Sequence, residues 1–139
     1  MSPKQVPARR VPREDHVRRW GQALDRLAAM ERELAVGAAD PALILAVQAV
    51  IAASDALTTF HRGERSSAQG HRDVLELLSR VGELPGLPAA RTHLAHVLRK
   101  KSDIEYSGRS LPPREVVALA EHARRFVAFV GKHLPPAAR

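Results

Sequence analysis

The chain reads as all-α, an antiparallel bundle of about five helices, on three observations. Apolar residues recur at three-and-four spacing in one segment after another, and no segment alternates as a strand does. Proline, glycine and small polar residues interrupt the chain at short intervals, so the connections are short and successive helices run antiparallel. Aromatic residues make up 4% of the 139 residues against a hydrophobic share of 45%, so the core must be built from Ala, Val and Leu, which let helices approach closely. A single domain of this length buries a core of its own.

Residues 1–12 hold Pro3, Pro7 and Pro12 among cations and small side chains and are expected to form a flexible basic arm. One helical domain is expected over 13–134, followed by a short tail, 135–139. From Arg13 onward Val17, Trp20, Leu24, Leu27 and Leu34 recur at helical spacing, which predicts a long amphipathic helix that Gly37 can stop. Asp40 and Pro41 mark the next start, an N-cap acceptor followed by proline at the first helical position. The helix from there to Phe60 or His61 is apolar on every face and is predicted to be the most buried. Its Ser54 and Asp55 are polar groups in apolar company and need partners.

His61 to Gly70 reads as a basic, glycine-bounded loop. A third helix begins between Ser67 and His71 and offers Val74, Leu75, Leu77, Leu78 and Val81 to the core. Breakers from Gly82 to Pro88 separate it from a fourth, which runs through Leu94, Val97 and Leu98 into Arg99–Tyr106. Ser110 is the expected cap of the last helix, with Pro112 and Pro113 in a first turn that tolerates them. Val116, Leu119, Ala120, Ala123, Val127 and Val130 form its buried stripe, and Pro135 and Pro136 end it.

Composition narrows the chemistry. Without cysteine there is no disulfide, thiolate metal site or cysteine nucleophile, and a reducing cytoplasm is the expected location. Met1 to Trp20 lacks the apolar centre of a signal peptide, and the apolar run from Pro41 to Ala53 is short for a bilayer span, so no membrane association is expected. The net charge is +7; six cations against two carboxylates put +4 of it in residues 1–19 and leave +3 for the other 120. Such an arm is either a solvated arginine-rich tail or a contact for nucleic acid, whose counterions cations displace.

Four constellations bear on function. His93 and His96 lie three apart on one helix face, but a third ligand is missing locally, so no metal and no cofactor is expected. Arg65 and His71, five residues between them, lie between helices, where Arg65 reads more simply as a solvated loop cation. Asp55 and His71 make a polar pair, either satisfying each other between two helices or opening onto a pocket. Arg99 to Tyr106 packs three cations, two carboxylates and a phenol into eight residues. Cations there complement the helix dipole, and Glu105 can pair with Lys101. Alternatively Arg99, Lys101, Asp103 and Tyr106 line a groove for a phosphate or base.

Three pieces of the chain together resemble the HEPN superfamily of small helical-bundle proteins. They are Ala53-Ser54-Asp55-Ala56 against an A-x-D-A central helix, Gly63-Glu64-Arg65-Ser66 to His71 against a G-x-R-S…H connection, and Lys101-Ser102 to Tyr106 against a K-N-x-x-x-Y helix end. Glu121 to Val127 is similar to the last helix of such proteins, and the resemblance covers roughly residues 15–134. It implies an all-helical bundle, commonly a homodimer, of a toxin–antitoxin or defence type. Its ribonuclease members use Arg-x4-6-His at the end of the fourth helix, where this chain has Lys101 and Tyr106. Lysine offers a point charge in place of a planar fork, and a phenol is a poor base at neutral pH.

The function the resemblance implies is therefore a binding or partner module for nucleic acid (RNA among the expected partners) or a nucleotide, or one that works with a nucleotidyltransferase-type protein. Arg65, Arg99, Lys101, Ser102 and Tyr106 are its candidate contacts. The competing expectation is a metal-independent ribonuclease using Lys101, Tyr106, Asp103 and His71, and the simplest is a structural bundle without a ligand. Because the ends of the second and fourth helices and the start of the third share one pole of such a bundle, Asp55, His71, Lys101 and Tyr106 are predicted to cluster there, with Asp55 bonded to His71 or Lys101.

Overall fold

The protein is an all-α helical bundle, with five α-helices and one small two-stranded ribbon among the described residues. The computed structural model describes residues 8–67 and 71–136, and at His71, Arg72, Asp103, Glu105 and Tyr106 the backbone alone. In chain order the elements are β1 (Ala8–Arg10), α1 (His16–Ala35), α2 (Ala39–Arg62), β2 (Glu64–Ser66), α3 (His71–Leu78), α4 (Leu87–Ser107) and α5 (Pro113–Lys132).

The alanine-rich α2 is the centre of the bundle, packed chiefly on α1 and α5, with α4 laid against α5. Ala46, Val50, Ala53, Ala56 and Leu57 are fully buried along it. Alanines at these positions bring neighbouring backbones close, and α5 answers with Val116, Ala120, Ala123, Phe126 and Val130. A single hydrophobic cluster extends from Trp20 to Leu134. On the surface, Arg124 of α5 holds Glu31 of α1 with both arms of its fork, Nη2 to Oε1 at 2.6 Å and Nε to Oε2 at 2.8 Å. That bond holds the Glu31 carboxyl below its usual range.

Several local expectations need correction. Asp40 does not cap α2, which starts at Ala39 behind Ala38 with no side-chain cap bond. Ser110 does not cap α5, whose N-cap is Pro112. The two residues bond each other instead, Ser110 Oγ donating to Asp40 Oδ2 at 2.8 Å, so the paired polar groups tie the α4–α5 connection to the start of α2. Val17 and Leu24 belong to the apolar pattern of α1 but are 50% and 39% exposed, because α2 covers the Trp20–Ala23–Met30 side of the helix. Ile44 on α2 is 59% exposed, so the central helix is not covered all round. By length and composition α2 is also apolar enough to cross a bilayer, unlike its shorter apolar run; 72% of its most apolar window is buried inside the bundle.

The arm expected to be flexible over 1–12 contains a strand. Ala8–Arg10 pairs antiparallel with Glu64–Ser66, in the register Ala8↔Ser66, Arg9↔Arg65 and Arg10↔Glu64. The Val11 N–H continues the pairing to the Gly63 carbonyl at 2.9 Å. Three residues a side are too few to show alternation, which is why neither strand is legible in the sequence.

Candidate functional site: a cationic cleft around Asp55

A cleft of about 520 Å³ opens between α1 and α2 and is closed at one end by β2, α3 and α4. Its floor is a row of α2 side chains at four-residue spacing, Leu43, Val47, Ile51 and Asp55. Residues spaced by four share a helix face, and twelve positions at the helical rise make the row about 18 Å long. Val74 of α3 and Ile104 of α4 extend the apolar surface. The rim is cationic: Arg19 and Arg26 from α1, Arg65 from β2 and Lys101 from α4. Asp55 is the one carboxylate among the described residues that line it.

Asp55 is only 8% exposed. Burial pushes its carboxyl up to about 6, against the pull of Arg19, Arg65 and the hydrogen bond it accepts from the Ser66 backbone N–H. That N–H belongs to β2, so the ribbon supplies the donor the buried carboxylate requires. Among the described residues, then, Ser66 donates a bond to Asp55 and the charges of Arg19 and Arg65 act on it. Lys101 lines the same cleft, as the predicted cluster requires, whereas the side chains of His71, Asp103 and Tyr106 lie outside the described residues.

The rim cations are held in different ways. Arg19 Nη1 donates to Gln22 Oε1 at 3.3 Å, and Arg26 Nε to Gln48 Oε1 at 3.2 Å across to α2. Burial, and after it the charge of Arg65, lowers the Arg19 guanidinium below its ordinary value. Arg65 is half-buried, not the solvated loop cation its position suggests, and its Nε is buried without a hydrogen-bond partner among the described residues. The cleft thus gathers positive charge on low-dielectric walls, an arrangement that attracts anions.

Of the other sequence candidates, Ser102 is half-buried and, like exposed Arg99, is absent from the lining. Arg99 stands two residues from Lys101, which on a helix is a turn of about 200° and places it on the opposite side. Arg19, Gln22 and Arg26 are the residues that sequence reasoning missed. Their three-and-four spacing marks a polar stripe on α1, but a stripe does not say what it faces.

The histidine pair gains a third member. His93 and His122 approach through their Nδ1 atoms at 2.8 Å, one ring donating and the other accepting, and His96 stacks on His122 with centroids 4.5 Å apart and planes within 12°. Burial, followed by the charge of Arg125, lowers His93; burial, followed by His96 and His93, lowers His122. Parallel rings do not aim their in-plane lone pairs at one point. Among the described residues no group of three or more His, Cys, Asp or Glu is placed to hold a metal ion.

Comparison with known proteins finds no matching family model, no matching curated relative and no matching solved structure.

Proposed function

We propose that the protein is a HEPN-like helical binding module whose cleft takes a phosphate-bearing ligand, a nucleic acid or a nucleotide. The observation that carries this is the convergence of Arg19, Arg26, Arg65 and Lys101, from three different elements, on one apolar-floored cleft, with Asp55 the one carboxylate among its described lining residues. Cations supply phosphate contacts, and an apolar floor accepts the face of a base. The three pieces that carry the family resemblance each contribute to the cleft, through Asp55, Arg65 and Lys101. Titration of labelled single-stranded RNA, single-stranded DNA and nucleoside phosphates at several salt concentrations tests it. Binding should weaken steeply with salt, and Lys101→Ala or Arg26→Ala should each weaken it by about tenfold, about 1.4 kcal/mol. No binding by the folded wild type at low salt would end the proposal.

A second reading is favoured by Asp55, whose carboxyl at about 6 lies in the range that suits general acid–base work near neutral pH. On that reading the protein is a metal-independent ribonuclease, with Lys101 as the phosphate contact and Tyr106, Asp103 and His71 as further candidates. Incubation with RNA separates the two: cleavage that is abolished by both Asp55→Asn and Lys101→Ala is the outcome only the enzyme produces. The resemblance also implies a homodimer and a nucleotidyltransferase-type partner; light scattering at tens of micromolar tests the first, and co-purification the second.

A further inference from the structure

The ribbon separates its charges by face. Successive residues of a strand alternate sides, and directly opposed residues of an antiparallel pair share one. On one face Arg10 stands opposite Glu64, which Arg62 also approaches at 3.6 Å, so that rung joins opposite charges. On the other face Arg9 stands opposite Arg65, so that rung joins like charges, a destabilising arrangement in a sheet. Arg65 is the rung's inner member and lines the cleft, while Arg9 is exposed. The Arg65 Nε is buried with no hydrogen-bond partner among the described residues, and Arg19 adds a third guanidinium charge nearby. An anion between Arg9 and Arg65 would turn this repulsion into two charge-assisted contacts.

We infer that Arg9 and Arg65 form a second phosphate subsite on the β1–β2 ribbon, and that the cleft therefore takes a phosphodiester chain whose backbone runs out of the cleft across the N-terminal arm. The inference rests on the cleft reading and deepens it. One phosphate would sit among the rim cations of the helices and a neighbouring one at the Arg9–Arg65 rung. The floor row of about 18 Å suits an elongated ligand better than a single nucleotide. It also gives the arm a role: β1 brings a cation to the mouth of the cleft.

The test uses the full chain with three probes: a single-stranded oligouridylate, an oligothymidylate of the same length, and uridine monophosphate. Affinity is followed against salt concentration for wild type, Arg9→Ala, Arg9→Lys and, as a control on the opposite ribbon face, Arg10→Ala. Arg9→Ala should weaken oligomer binding by about three- to tenfold and lower the slope of log affinity against log salt by about 0.7, the value for one contact on a single strand. It should leave the mononucleotide within about twofold of wild type, and Arg9→Lys should keep most of the slope. The oligouridylate and oligothymidylate distinguish RNA from DNA as the source of the phosphates. If Arg9→Ala matches Arg10→Ala, or if mononucleotide and oligomer weaken equally, the second subsite is overturned while the cleft reading stands. If wild type binds no probe, both fall together.

Discussion

Asp55 is a carboxylate held where burial works against its charge. Its ordinary value is 3.8 and in the fold it is raised to about 6. Below 3.8 the group is protonated whether the chain is folded or not. As pH rises toward 6 the unfolded chain ionises it freely while the folded chain keeps the proton, so stability falls across that window and the loss is complete above it. At 1.36 kcal/mol per unit the loss is about 3 kcal/mol. Asn in this position still accepts from the Ser66 N–H and carries no charge to bury. Asp55→Asn is therefore expected to gain about 2–3 kcal/mol over wild type at pH 8 relative to its difference at pH 4, read from urea unfolding at both pH values. An equal difference at the two would show that burial does not govern this carboxylate.

Among the elements, the β1–β2 ribbon has the largest consequence for the cleft, because it donates to Asp55 and places Arg65, with Arg9 opposite it. It depends on the turn at Gly63, which ends α2 with φ +64 and bonds its N–H to the Thr59 carbonyl at 2.9 Å. A side chain there is disfavoured by the left-handed backbone more than by crowding, since an added Cβ meets the Val11 carbonyl oxygen at an ordinary 3.5 Å. Gly63→Ala is expected to cost about 1–2 kcal/mol. Gly21, inside α1 with nothing within 4 Å of an added Cβ, supplies the contrast. Gly21→Ala should stabilise by about 0.5–1 kcal/mol, because alanine loses less freedom in a helix. Thermal melts of the two variants moving in opposite directions would bear this out. If both moved upward, the turn would not need its glycine.

At the scale of the whole molecule, apolar side chains alike in the sequence carry very different weights. Leu57 is fully buried on α2, whereas Val17 on α1 is half exposed. Leu57→Ala should cost about 2–5 kcal/mol through lost burial and the cavity left behind, and Val17→Ala should stay within about 0.5 kcal/mol. Denaturant midpoints measure both, and a comparable loss at Val17 would mean that another surface covers it. The sequence carries the helices well, because three-and-four spacing is local and each helix repeats it over many residues. It marks Asp55 as a charge on an otherwise apolar helix, and Lys101 as part of a helix end with more ionisable groups than a cap requires.

What the sequence determined by itself is the class of fold, the central place of the apolar helix, and the surplus of positive charge. These follow from composition and periodicity, which need no knowledge of neighbours. Only the tertiary structure decided which cations meet. Arg19 and Arg26 are separated by the whole of α2 from Arg65 and by most of the chain from Lys101, and nothing in their local spacing relates them. The same holds for the bond between Ser110 and Asp40, which local rules assign to two separate helix caps, and for His122, which joins His93 and His96 from another helix. The ribbon is the extreme case: two strands of three residues carry no periodic signal, yet their register sets Arg9 opposite Arg65. Helix formation is governed by contacts a few residues apart, and the site by contacts between elements, which only the packing of α2 against its neighbours brings about.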